Sequence, residues 1–148
     1  MPPLQTILEE NRKERERLLA FMAGLKEEDF EQRLLNDWTV AVTLAHLAFW
    51  DLWQVSILKR WLTDKHKPEH SDSRPINDSL SILSETIPPQ AVVRLATQAA
   101  KAIDQAVGQL TPAQAEELIQ AGLERTLRRS LHRKDHLDKL EKALKLGN

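Results

Sequence analysis

The stretch that follows Thr39 and runs to about Leu62 constrains the fold more than any other part of the chain. Read as a helix, it spreads Val42, Leu44, Ala45, Leu47, Phe49, Trp50, Leu52, Trp53, Val55, Ile57, Leu58 and Trp61 around nearly its whole circumference. A helix that is apolar on every side has to be buried on most of them. In a chain of 148 residues this predicts a central helix, a helix covered by a partner subunit, or both.

The rest of the chain supplies the elements that can surround it. Leu4, Leu8, Leu18, Leu19 and Met22 make an interrupted apolar stripe, which predicts a first helix over about 4–22. Pro2 and Pro3 suit its start and Gly24 its end. The charges at 14–17 alternate in sign and suit a solvated face. A short segment at 27–35 leads to the second helix, for which Thr39 is the N-cap. Residues 63–79, with Pro68 and Pro75, read as a loop or crossover, and a short helix is expected at about 78–83. Pro88-Pro89 then opens a third long helix ending near Leu110. Its seam is Val92, Ala96, Ala99, Ile103, Ala106 and Leu110, at steps of three and four. Thr111-Pro112-Ala113-Gln114 combines an N-cap, an N1 proline and a capping-box glutamine, and predicts a short helix through Ile119. Gly122 breaks it, and a last helix is expected over about 123–146. No strand and no internal repeat is readable. The expectation is an all-α fold, one domain over 1–148, built as a four-helix bundle with a long connection and additional short helices.

Composition narrows the chemistry. Hydrophobic residues make 41% and charged residues 29% of the chain, the balance of a folded globular protein. The absence of Cys excludes disulfides, thiolate metal sites, iron–sulfur clusters and a cysteine nucleophile. The absence of Tyr removes phenolic acid–base chemistry. A net charge of -1 lacks the basic signature of nucleic-acid binding, and the basic last helix has no stacking aromatics beside it. The N-terminus turns charged too early for a secretory signal, and no apolar run reaches membrane-spanning length free of charge. A cytoplasmic protein with no membrane or nucleic-acid partner is expected.

Five histidines remain. His132 and His136 stand at i and i+4 and fall on one helical face, where two imidazoles can share a metal. The glutamate of the zincin helix is missing from this segment, and an exposed pair on a charged helix satisfies the same spacing. His46 is the one imidazole or cation in the apolar run 40–57, either a core histidine or a ligand aimed into a cavity. His66 and His70 share the i, i+4 spacing, but Pro68 breaks the segment and assigns them to a loop. Three imidazoles would leave positions on an ion open to water or substrate, the arrangement of a catalytic site. Around them, Trp50, Trp53 and Ile57 are candidates for the apolar wall of a substrate pocket, or else core or dimer interface. Arg125 and Arg129 share the azimuth of the histidine pair, and Arg129 is the candidate for binding an anionic group of a substrate. Arg128, Arg129, Arg133 and Lys134 make this helix generally basic, and most of them are expected to be solvated. Asp51 and Asp135 are candidates for carboxylates that support the ligands from behind, although their wheel positions point away from the ligand face.

Two segments resemble the DinB/YfiT-like superfamily of metal-dependent enzymes. Residues 37–51 (DWTVAVTLAHLAFWD) resemble its tryptophan and small-hydroxyl stretch followed by His-Leu on the second helix. Residues 131–137 (LHRKDHL) resemble its His-x-x-x-His on the last helix. Their order and spacing fit across nearly the whole chain. The resemblance implies a four-helix bundle, often dimeric, with His46, His132 and His136 holding a divalent metal such as nickel, zinc or iron. It also implies, for some members, transferase or isomerase chemistry with a low-molecular-weight thiol such as bacillithiol or mycothiol. Many members carry an acidic residue three positions after the capping hydroxyl; Val42 stands there in this chain, so Thr39 lacks a capping-box partner.

Three functions follow as expectations. The first is a metal-dependent enzyme in which the ion activates water or an exogenous thiol for hydrolysis or S-transfer on a small-molecule substrate. The second is a module that binds a small molecule or metal without turnover. The third is a structural homodimer built on the apolar second helix, with incidental histidines.

Overall fold

The structure, a computed structural model, describes residues 2–69 and 72–147, with side chains up to Lys145 in the last helix. Seven α-helices form in this order: α1 (Leu4–Ala23), α2 (Val40–Asp64), α3 (Arg74–Ser84), α4 (Pro89–Gly108), α5 (Pro112–Gln120), α6 (Glu124–Leu127) and α7 (Arg129–Gly147). A 3-10 turn, Glu27–Glu31, follows α1. The fold is all-α, and the described residues contain no β-sheet, only an isolated bridge between Arg33 and Thr39.

Four long helices close a ring. α1 packs on α7 and α4, and α2 packs on α4 and α7. The connection from α2 to α4 carries α3, which lies against α2. The crossover is more helical than its prolines suggested. α2 runs on to Asp64, and α3 starts at Arg74, with Pro75 in its first turn where a missing N–H costs nothing. Local signals elsewhere act as read. Thr39 Oγ1 accepts from Val42 N at 3.1 Å, so the cap holds without an acidic partner. Thr111 and Gln114 exchange both capping-box hydrogen bonds. Gly122 has φ +81. There, Gly122 N donates to Ile119 O and Leu123 N to Leu118 O, a Schellman ending that α5 needs a left-handed residue to make.

The last helix is not continuous. It breaks at Arg128, with no glycine or proline to announce the break. The cause is tertiary. The Asn11 side chain on α1 donates to Leu127 O (2.7 Å) and accepts from Ser130 N (2.8 Å), satisfying backbone groups on both sides of the break.

α2 is central as its composition demanded. Residues 42–48 are all buried, about two full turns with no solvent face. Its second half is less covered, and Leu52 and Leu62 are exposed. Among the described residues α2 is the one helix long and apolar enough to cross a membrane. The burial of its first half inside the bundle makes it the core helix.

Two apolar clusters fill the bundle. The first holds Leu18, Leu44, Leu47, Ala96 and Leu137, and the second holds Ile7, Ile57, Ile103, Val107 and Leu127. A buried polar and charged layer, Asn11, Asp51, Asp104 and Arg133, takes one residue from each long helix; along α1 and α2 it separates the two clusters, and on α4 Asp104 follows Ile103 of the second. Arg133 was expected in solvent and is instead fully buried. Its guanidinium donates to Asp104 (2.8 and 2.9 Å), to Asp51 (3.3 Å), to the Ala100 carbonyl (3.3 Å) and to the Asn11 carbonyl (3.1 Å). Burial opposes its charge, yet Asp51 and Asp104 hold its pKa above the usual value. Removing one partner of a buried pair strands the other charge and costs about 3–5 kcal/mol. Asp104→Asn is therefore expected to lower the urea midpoint by about that much stability. Asp135→Asn, on the exposed face, should cost less than about 1 kcal/mol. Equal midpoints for the two variants would show that the layer does not hold the bundle.

Candidate metal centre

Above the charged layer three imidazoles converge. His46 comes from the turns of α2 that are buried all round, and His132 and His136 come from successive turns of α7. Nε2 of His46 and Nε2 of His132 lie 3.1 Å apart. Ring centroids are 4.6 Å apart for His46 and His136 and 4.7 Å for His132 and His136. One ring nitrogen from each residue lies within 4.8 Å of the others. Two nitrogens bound at about 2.1 Å to one ion stand about 3.0 Å apart at a right angle and about 3.4 Å apart at the tetrahedral angle. The 3.1 Å separation falls inside that interval.

The environment keeps the rings neutral, the form that ligates. Burial pushes His46 down to about 3, with the charges of His136, Arg129 and Lys139 acting in the same direction. Burial pushes His132 down to about 2, reinforced first by Arg129. His136 is lowered by burial, against the pull of Asp135 and with the help of Lys139. His46 Nδ1 is buried with no hydrogen-bond partner among the described residues, so the protein alone leaves this polar atom uncompensated. The donor set, its spacing and its neutrality fit a divalent ion.

Arg129 is buried rather than solvated. Its Nε donates to Asp51 Oδ1 (2.8 Å), its Nη1 to the Arg125 carbonyl (3.0 Å), and its Nη2 lies 3.0 Å from His132 Nδ1. A guanidinium only donates, so His132 Nδ1 accepts. The proton of the metal-free His132 ring then sits on Nε2 and is shared with His46 Nε2 across 3.1 Å; an ion on that nitrogen would have to displace this proton and free Nδ1 from Arg129. Asp51, one of the two candidate supporting carboxylates, joins the cluster through the Arg129 side chain. Asp135 stays outside, exposed and paired with Lys139 at 2.9 Å. Arg125 is exposed.

The expected apolar wall is only partly at the site. The Trp50 ring lies 6.4 Å from His46, and its Nε1 donates to Asn77 on α3 at 2.8 Å. Trp53 stacks beyond Trp50 at 5.5 Å and is 37% exposed. Ile57 belongs to the second apolar cluster, on the far side of the charged layer from His46 along α2. Trp38, given no role in the sequence, packs its ring on His46 at 5.1 Å. The signal for it was its place in the quoted segment, eight positions before His46. His66 is exposed in a loop; His70 lies outside the described residues.

A cavity of about 490 Å³ opens at His136, between the turn at 32–36 and α7. Another, about 350 Å³, lies between α1, the 3-10 turn and α4 and reaches none of the three histidines.

The chain matches the family described as the mycothiol maleylpyruvate isomerase N-terminal domain over residues 11–134, most of its length. This family is part of the DinB-like superfamily. His46 and His132 lie inside the matched stretch, and His136 lies just past its end. No curated protein and no solved structure matches.

The ring pKa values give a stability test. Below about 6.5 the unfolded chain takes up protons on these histidines, whereas folded His46 does so only near 3. The unfolded state then binds more protons, so stability is full above pH 6.5 and falls as pH drops through that window. For protein stripped of metal, the urea midpoint should decrease from pH 7 to pH 4.5. It should decrease less in His46→Gln. Parallel curves would show that burial does not hold the ring neutral.

Proposed function

Because the chain belongs to the mycothiol maleylpyruvate isomerase N-terminal domain family, we propose that it is a metal-dependent enzyme acting on an electrophilic small molecule with a low-molecular-weight thiol. The observation that carries this reading is the meeting of three neutral imidazoles from α2 and α7 beside an open cavity. A divalent ion on uncharged ligands supplies strong acidification of a coordinated thiol or water, and so a nucleophile near neutral pH. His46, His132 and His136 would hold it, and three imidazoles suit nickel, zinc or iron.

The chain's own residues do the positioning. Arg129, fixed by Asp51, sets the orientation of the His132 ring. Trp38 limits the His46 ring from the other side and excludes water from it. The chain has no Cys, so the thiol is a separate molecule, in keeping with the family's printed description. Hydrolysis by an activated water is the competing reaction at the same centre. The exposed Leu52, Trp53 and Leu62 on α2 support pairing with a second copy as part of this proposal, and a monomer mass in sedimentation velocity would remove that part.

The test is elemental analysis of protein purified without a His tag or chelator, with His46→Ala and His132→Ala beside it. The expected result is about one equivalent of metal per chain, lost in both variants while helical circular dichroism persists. Thiol-transfer and hydrolysis screens on the loaded protein then separate the two reactions. Failure to take up nickel, zinc or iron on reconstitution would sink the enzyme reading and favour a bundle that only binds or dimerises.

A further inference from the structure

We propose that the cavity at His136 is the binding site for a small amphipathic organic anion, which is the electrophilic substrate or a part of it. The inference rests on the reading of the histidine cluster as the reactive centre. The cavity's volume of about 490 Å³ lies in the ordinary range for small-molecule sites, about 300–1,000 Å³.

Its lining is one-sided in charge. Arg33, Lys139 and Lys142 contribute three cations, and no carboxylate lines it. Two of the cations have partners just outside. Lys139 Nζ is 2.9 Å from Asp135 Oδ2, and Arg33 Nη1 donates to the Asp37 carbonyl at 2.6 Å with Asp37 Oδ1 at 3.6 Å. Both carboxylates are more than half exposed, and exposed pairs of this kind are weak. They yield readily to a bound anion. Lys142 has no ion pair among the described residues.

The rest of the lining calls for an apolar body. Leu34, Leu35 and Ala143 face the cavity, and Leu35 is 95% exposed. A leucine held in water at the rim of a cavity gains from any apolar surface laid on it. The turn that presents it is preformed. Leu34 N donates to Trp38 O (2.8 Å), Val40 N to Gln32 O (2.9 Å) and Trp38 N to Asn36 Oδ1 (3.0 Å). Asp37 takes the left-handed conformation at φ 69 that Asp tolerates in turns. The same turn ends in Trp38, whose ring rests on His46. An anion seated on the lysines therefore has His136 at one end of its body. A neutral ligand would leave Lys142 unanswered, and a cationic one would be repelled.

The test uses the metal-free full-length chain, so that ligation of a carboxylate to an ion cannot mimic binding. Backbone amide shifts are followed during titration with benzoate and, separately, its neutral isostere benzamide. Benzoate should shift amides at 32–36 and 136–143 saturably, with benzamide weaker by about tenfold. The double variant Lys139→Gln/Lys142→Gln, at exposed positions, should weaken benzoate by a similar factor and leave benzamide unchanged. Added salt should weaken benzoate alone. Equal affinity for the two probes, shifts confined to other parts of the surface, or no saturable shift with benzoate would overturn the proposal. Benzoate bound in the cavity of a chain that takes up no metal would sustain it while the metal reading fails. One equivalent of metal without saturable benzoate binding would sink this inference alone.

Discussion

Everything in this bundle is arranged around a guanidinium in its middle. Arg133 leaves α7 and bonds to a carbonyl of α1, a carboxylate of α2, and a carboxylate and a carbonyl of α4. No other side chain bonds to all three neighbouring helices among the described residues. Placing such a group in the interior is expensive, and a well-packed apolar replacement is often as stable. What the charge contributes is register. An apolar seam of Val, Ala and Ile, as on α4, tolerates sliding by a turn, because one small aliphatic face resembles the next. A fork-shaped donor that needs Asp104, Asp51 and two specific carbonyls does not. The apolar clusters on either side inherit the alignment that this layer imposes.

That alignment carries the histidines. His132 is adjacent to Arg133 and so leaves the same helix turn on the side facing α2. His46 sits five residues before Asp51 and reaches the same level from the opposite wall. Asp51 answers both Arg133 and Arg129, and Arg129 holds Nδ1 of His132. One carboxylate thus links the structural layer to the histidine cluster. The break at Arg128 serves the same arrangement. Asn11 closes the broken backbone and lets α7 begin at Arg129 in its own phase, independent of α6.

The elements legible in the sequence are those whose causes are local. The all-round apolar run of α2, the Thr39 and Thr111 caps and the Gly122 stop each act within a few residues of where they are written. The three histidines were grouped by the family resemblance of residues 37–51 and 131–137; spacing alone left His46 open between core residue and ligand, and the His132/His136 pair open between ligand and exposed face. The misreadings have long-range causes. Arg133 looks like one more cation on a basic helix, and only Asp51 and Asp104, far away in sequence, make it a core residue. The α6–α7 break depends on an asparagine more than a hundred positions earlier. Wheel positions argued against a supporting role for Asp51, but they ignore a side chain as long as that of Arg129, which links Asp51 to His132. Ile57 was left open between pocket wall and core, and its depth along α2 puts it in the core, in the second cluster.

Charge links the proposed ion to the proposed anion at this centre. The rings are neutral, and the fixed charges acting on them are mostly positive: Arg129 and Arg133 from the layer below, Lys139 from the rim. Asp51, the nearest carboxylate in the layer, is already committed to two guanidiniums. A dication arriving here meets three good donors but little negative charge, so the cluster by itself is a poor electrostatic host. An anion coming from outside, a thiolate or the carboxylate of a substrate, relieves that imbalance, and each ligand then favours binding of the other. A centre built on neutral imidazoles and ringed with cations is thus suited to hold an ion and its anionic reactants together.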